Sequence, residues 1–311
     1  VTSPPKGGAP PGSSTPPPAG APASAPSPKP GAPGAPRVAA IPQPPPWYRR
    51  LRTDPPLPIG PAIGAAFIGL VVLAWWFITR GSPTEAFISP SKLPSPGAVF
   101  GAFGALLDEG LVDSLISTLA RVFTGVGLAA LVGISLGVAA GAHRGIGAAV
   151  GPLVVFLRSI PMGALLPLML VMFETGEKQK VMFLFFAIVA FVFSDTVKAV
   201  SLVPQRYVET AQTLGGGNLQ IIFKVLVPLA LPDILTSLRF QVGLALGYVT
   251  LAESIGSAAD TGIGHMLNIN QVRGLIEQNY LLLFIIAGVA YGIDLLIRSL
   301  QAGLFRWRQD L

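Results

Sequence analysis

Apolar residues gather along the chain into six long stretches, about Pro61 to Thr79, Ser114 to Gly141, Ala149 to Phe173, Lys180 to Ser201, Pro232 to Leu251 and Asn279 to Leu300. Crossing a bilayer core as a helix takes roughly 20 consecutive apolar residues, so each stretch is long enough to span. The pattern predicts an all-α membrane protein with six transmembrane helices and both termini on one side.

The intervening segments have distinct characters. Residues 1–46 are almost wholly Pro, Ala, Gly and Ser, a composition that buries too little apolar surface to offset the entropy of ordering, which predicts a disordered tail. Its Pro16 to Pro18 and Pro44 to Pro46 runs read as a passive spacer. Residues 47–80 are expected to form the first span together with an interfacial anchor of Trp47, Tyr48, Arg49, Arg50 and Arg52. The long preceding tail argues against a signal sequence. In the outer segment 81–113, Pro90, Pro94 and Pro96 break any early helix. After them Val99, Phe100, Phe103, Leu106 and Leu107 recur at helical spacing, as in a short amphipathic surface helix. Residues 114–304 form a five-helix core that includes a polar loop at 201–228, and 305–311 form a second tail.

Within the core, Gly125, Ala129, Gly133, Gly137 and Gly141 fall every four residues on one helix face, so a neighbouring backbone can come close. That ridge predicts a packing surface, within the bundle or between copies of the chain. Pro161 and Pro167 interrupt the third stretch, and Pro228 and Pro232 lead into the fifth. The carbonyls they free need partners inside a bundle or along a cavity.

Composition supports membrane residence: 51% of residues are hydrophobic and only 12% charged, where soluble domains carry charge on about a quarter. The net charge of +6 and pI near 9.8 would suggest nucleic acid for a soluble protein, but here the placement of Lys and Arg excludes that reading. They concentrate in the N-terminal tail, at Arg144, between Lys198 and Lys224 and after Arg298, against only Arg80, Lys92, Lys178, Lys180 and Arg273 on the other side. That bias predicts cytoplasmic termini. The chain has no cysteine, and His143 and His265 stand alone without metal-type spacing.

The loop from Ser201 to Lys224 is too well patterned for a linker. Pro204 opens it, Gln205 to Leu214 has the length of about three helical turns, and Gly215, Gly216 and Gly217 stop that helix. Tyr207, Ala211 and Leu214 are expected on one face, with Arg206, Glu209 and Thr213 offering polar contacts. Asn218 is expected to cap a second helix, Leu219 to Val227, that runs into Pro228.

Glu209-Thr210-Ala211, then Gly215, then Val225, Val227 and Pro228, resembles the cytoplasmic "EAA" loop of ABC-type import permeases in every spacing. Thr210 stands for the middle alanine. Further stretches narrow the resemblance to the permeases of the nitrate, sulfonate, taurine and bicarbonate import group. They are Leu93-Pro94-Ser95-Pro96, Ser117-Leu119-Arg121-Val122, Arg158-Ser159-Ile160-Pro161, Leu165-Leu166-Pro167-Leu168, Thr213-Leu214-Gly215, Leu226 to Pro232, Ala252-Glu253 and Thr261-Gly262-Ile263-Gly264.

The resemblance implies an importer-type ABC permease fold with a cytoplasmic coupling helix. It implies a homodimer in the bacterial inner membrane, an ATP-binding cassette subunit docked at Glu209, Thr210, Ala211, Leu214, Gly215 and Pro228, and a periplasmic solute-binding protein. It also implies that this chain binds no cofactor, ATP and Mg sitting on the partner subunit. The chain departs from the group at Glu174, where Phe-Gly-x-Gly-Glu is usual, at Asp195-Thr196 in place of Asn-Thr, and at Gly247-Tyr248 in place of a Trp.

Ionisable groups inside spans are costly and face a bundle interior or a wet cavity. The candidate translocation path therefore comprises Arg158, Pro161, Asp195, Thr196, Tyr248 and Glu253. Arg158 lends positive potential to an anion route or satisfies the carbonyls freed by Pro161. Asp195 and Arg239 are placed for an internal ion pair, Asp294 is a further intramembrane charge, and Arg121 is expected to snorkel to the outer boundary. Glu253, near the outer end of its span, would repel an anion unless paired.

The chain lacks a G-x-x-x-x-G-K-[ST] loop, HExxH and GxSxG, so an enzyme reading finds no support. The alternatives to an anion importer are an ion-coupled secondary transporter and an importer of an organic solute such as a vitamin precursor.

Overall fold

A computed structural model of the chain describes residues 58–81, 88–255 and 261–305. The tails, the anchor at 47–52 and the basic residues beyond 305 lie outside the described residues. The chain divides into two compact units, Val1–Ala62 and Ile63–Leu311. Of the first, residues 58–62 are described, and there the Ala62 N–H donates to the Pro58 carbonyl at 3.2 Å. Helices are the only regular secondary structure among the described residues of the second unit.

Helix α1 (Ile59–Thr79) is apolar almost all round. Within the second unit, Trp75 anchors the far end of α1, donating its indole N–H to the Pro94 carbonyl at 3.0 Å and lying 5.7 Å from the Phe284 ring. Beyond Pro94 come two short helices, α2 (Pro96–Gly101) and α3 (Phe103–Asp108). The Ser95 hydroxyl caps α2 by accepting from the Ala98 N–H at 3.3 Å, and Pro96 occupies the first helical position, where a missing N–H costs nothing. The expected amphipathic segment is thus two pieces. Val99 and Leu106 are buried and Phe100, Phe103 and Leu107 exposed.

The core is built on α4 (Leu111–Ala142), α7 (Glu177–Ser201) and α10 (Val227–Glu253). Val122, Val126, Leu184, Ile188, Val242 and Val249, from all three helices, share one buried cluster. The glycine ridge of α4 faces α7 within the same chain. A Cβ at Gly125 would meet the Leu184 Cβ at 2.6 Å, one at Gly133 the Val192 Cβ at 2.9 Å, and one at Gly141 the Val200 Cβ at 2.8 Å. Small residues here let two long helices run nearly backbone to backbone.

The third apolar stretch is two helices, α5 (Arg144–Arg158) and α6 (Met162–Phe173), bent by 97° at Ser159, Ile160 and Pro161. Pro161 has no N–H and disfavours helical backbone in the residue before it, so it sits just ahead of α6 in extended conformation. Pro167, expected to interrupt the stretch, lies inside α6 without ending it. Among the described residues five helices are long and apolar enough to cross a membrane, and six if this bent pair counts as one span.

The fifth stretch begins well before Pro232. From Asn218 to Glu253 the chain is a single 36-residue helical rod: α9 (Asn218–Ile221), a π-helical turn (Ile222–Leu226), then α10. Gly217, rather than Asn218, is the N-cap, its N–H donating to the Gln220 side-chain oxygen at 3.2 Å. The π turn has a local cause. Pro228 gives no hydrogen bond to the carbonyl four residues back and its ring crowds that carbonyl. The wider turn lets the Val227 N–H reach the Ile222 carbonyl, five residues back, and the helix continues. Helices α11 (Ile263–Arg273) and α12 (Ile276–Leu304) complete the chain.

Candidate functional site

Two arrangements of polar residues stand out, at opposite ends of α7 and α10. The 25 residues of α7 rise ~36 Å from Glu177 to Ser201.

The first is the loop after Ser201. Helix α8 (Gln205–Thr213) contains no buried residue, yet it is held at its C-terminus and along its inner face. At its C-terminus the Gly215 N–H donates to the Gln212 carbonyl and the Gly216 N–H to the Ala211 carbonyl, both at 2.9 Å. These are the paired bonds of a Schellman cap. The cap requires the left-handed backbone of Gly215, φ +80, which glycine adopts without penalty. Gly216 is needed too, since a Cβ there would stand 2.8 Å from the Ala211 carbonyl oxygen.

On the inner side Val208 and Ala211, three residues apart on one helix face, pack against a cluster that includes Val138, Val200, Ile222, Leu226 and Ile234. The expected shared face of Tyr207, Ala211 and Leu214 is therefore corrected. Ala211 turns in with Val208, while Tyr207 is 42% and Leu214 83% exposed. The Schellman turn ends the helix at Thr213, which leaves Leu214 projecting from its tip. Glu209, Thr210 and Arg206 are all on the exposed surface.

The second arrangement joins residues far apart in sequence. Arg121 on α4 is 3% exposed. Its Nη1 donates to Glu253 Oε1 and to the Thr261 carbonyl, each at 2.6 Å. Its Nε donates to Glu177 Oε2 at 2.7 Å, and its Nη2 pairs with Glu177 Oε1. Glu253, fully buried, also accepts from the Thr118 hydroxyl at 2.9 and 3.0 Å and from the Gly264 N–H at 2.9 Å. The Thr118 hydroxyl in turn accepts from the Ile263 N–H at 3.0 Å.

A buried carboxylate is tolerable only with this density of partners. Gly262, at φ +136, has room for no side chain: a Cβ would lie 2.5 Å from the Glu253 carboxyl carbon and 2.6 Å from Arg121 Nη1. The cluster pins together the start of α4, the start of α7, the end of α10 and the entry to α11. Two open clefts flank it. One of about 620 Å³ includes Thr250, Ser254, Asn268 and Gln271, and one of about 420 Å³ includes Asp113, Thr261 and His265.

A family model described as "Binding-protein-dependent transport system inner membrane component" matches residues 129–309. The chain belongs to this family. The taurine transport system permease protein TauC of Escherichia coli (strain K12) is 30% identical over 271 residues, covering 85% of this chain and 96% of TauC. The bicarbonate transport system permease protein CmpB of Synechococcus elongatus is 34% identical over 202 residues, 65% of this chain and 70% of CmpB. Among solved structures, an inward-facing MetNI methionine ABC transporter has a similar fold. Its TM-score is 0.57 at 21% identity, over 62% of this chain and 95% of that one.

These relatives make the permease a multi-pass inner-membrane protein of the nitrate, sulfonate, taurine and bicarbonate group. Three stretches that carried the resemblance without a visible purpose, Ser117 to Val122, Ala252-Glu253 and Thr261 to Gly264, meet in the Arg121 cluster. Arg121 does not snorkel, because two carboxylates and a carbonyl hold it inside the fold. Those stretches carry a sign of this cluster, but nothing in them links residues more than 130 positions apart.

The other candidates fall elsewhere. Asp195 accepts from Gln241 Nε2 at 3.0 Å, and its expected partner Arg239 pairs with Asp294 of α12 at 2.8 Å. Arg239 and Gln241 differ by ~200° around α10, so they address different neighbours. Thr196 is 1% exposed and pressed against Gly137. Tyr248 is half-buried beside two apolar clusters. Arg158 is exposed, its guanidinium 4.7 Å from the Phe191 ring centre.

The carbonyls near the α5–α6 break are satisfied locally. The Ser159 hydroxyl donates to Val155, the Ser159 N–H to Phe156 and the Ile160 N–H to Leu157. Arg158 is not needed for that task. The Glu253 carboxylate is enclosed by the partners named above.

Proposed function

We propose that the chain is the membrane subunit of an ATP-driven importer for a small solute bearing a singly charged oxyanion. In this reading two copies span the bacterial inner membrane with their termini, α8 and Pro228 on the cytoplasmic side. An ATP-binding cassette subunit, which carries ATP and Mg, seats on each α8, and a soluble solute-binding protein delivers solute at the Arg121 end. Arg158, Pro161, Asp195, Thr196, Tyr248 and Glu253 remain the proposed pathway residues.

The observation that carries this reading is mechanical. A short exposed helix has its end locked by a Schellman cap and its inner face seated on α4, α7 and the 36-residue rod from Asn218 to Glu253. A push on Leu214, Tyr207 or Glu209 passes through Val208 and Ala211 into that rod and reaches Glu253 at its far end. Closure of the ATPase pair then favours one orientation of the rod over the other, which is the differential interaction an alternating-access cycle needs. Solute class follows from the relatives, whose names specify taurine and bicarbonate transport.

A cysteine at Leu214, crosslinked in membranes co-expressing the ATPase subunit, tests the reading. ATP-sensitive crosslinking is expected. Uptake driven by a proton or sodium gradient in vesicles without ATP, with no such crosslink, would replace it with an ion-coupled transporter.

A further inference from the structure

The two edges of the Arg121 guanidinium are held very differently. The Nη1 edge is locked to Glu253, itself fully buried and bonded to Thr118 and Gly264, and to the Thr261 carbonyl. The Nε/Nη2 edge is a flat fork of two donors, and it grips both oxygens of Glu177. The Glu177 side chain is 65% exposed, so its carboxylate has access to water on leaving Arg121. Releasing Glu253 instead would strand a carboxylate with no access to water.

We propose that the Nε/Nη2 edge of Arg121 is an oxyanion-binding site, and that Glu177 occupies it as a built-in competitor. The ligand class follows from the fork. A guanidinium edge matches any anion that presents two oxygens side by side, such as a carboxylate, nitrate, sulfonate or bicarbonate. Charge selects further. One monoanion replacing one carboxylate leaves the local balance between Arg121, Glu253 and the occupant unchanged, whereas a dianion adds an uncompensated charge beside buried Glu253. A small solute reaches this edge from the side on which Glu177 is exposed; the clefts at Thr250 and Thr261 border the cluster at Gly264 and Thr261.

The site deepens the importer reading by giving the solute a first contact at the end opposite α8. Because Glu177 opens α7, exchange of Glu177 for solute also removes the Arg121–Glu177 tie between α4 and the start of α7.

Binding of sodium nitrate and sodium methanesulfonate to the full-length permease in lipid nanodiscs, followed by titration calorimetry without nucleotide, tests the site. Glu177→Gln and Glu177→Ala should each tighten nitrate binding at least tenfold over the parent. Adding Arg121→Lys should remove that gain, while Glu174→Gln should leave the parent affinity unchanged. Unchanged nitrate affinity in both Glu177 variants, or a gain that survives Arg121→Lys, overturns the proposal. Should Arg121→Lys not fold, the two Glu177 variants decide alone. Because no ATP turnover is read, a failed titration leaves the importer reading standing, and failed ATP-driven uptake leaves the anion site standing.

Discussion

Gly137 of α4 lies so close to Thr196 of α7 that a Cβ at position 137 would stand 2.6 Å from the Thr196 Cβ. Neither partner can retreat, since each belongs to a long helix held at several other points of the same contact. Gly137→Ala is expected to cost ~1–3 kcal/mol through overpacking, and Gly137→Val more. Gly127→Ala on the same helix, where a Cβ meets nothing within 4 Å, should be neutral. Thermal unfolding in detergent measures both, and equal effects of the two alanines would contradict the packing.

The buried carboxylate of Glu253 sets the second expectation. Removing one partner of a buried ion pair leaves the other uncompensated, so Glu253→Ala should destabilise the protein by ~3–5 kcal/mol. Because the pair is shielded from solvent, its contribution should change little between 0.05 and 0.5 M salt. Denaturation midpoints at those two ionic strengths check both points.

Arg239 provides a third. A double-mutant cycle between Arg239→Gln and Asp294→Asn should show a coupling of about 0.5–3 kcal/mol, and the cycle between Arg239→Gln and Asp195→Asn should be additive within ~0.5 kcal/mol. Coupling to Asp195 instead would mean that α10 is rotated from the orientation seen here.

At α8, stability and function should separate. Leu214, at 83% exposure, touches little within the chain, so Leu214→Ala should leave stability within ~0.5 kcal/mol of the parent. Co-purification of the ATPase subunit with the permease should nonetheless fall markedly. Gly215→Ala should do the reverse in part, costing ~1 kcal/mol because alanine is strained at φ +80 while leaving Leu214 in place. Retained co-purification in Leu214→Ala would remove that residue from the docking surface.

Much of this protein follows from its sequence because the governing forces act over short separations. Twenty-residue apolar runs, a four-residue glycine repeat and a helix stopped by Gly215 depend on neighbours within a turn or two, and each appears near its expected place. The π turn before Pro228 and the 97° bend at Pro161 also have local causes, yet their outcome required the fold. A proline states only that one hydrogen bond is missing, and the surroundings decide between a widened turn and a break. The partners of Arg121 and Arg239 were set by tertiary structure alone. Charges attract whatever opposite charge the helix rotations bring near, and a rotation of ~100° per residue turned Arg239 to Asp294 and gave Asp195 to Gln241.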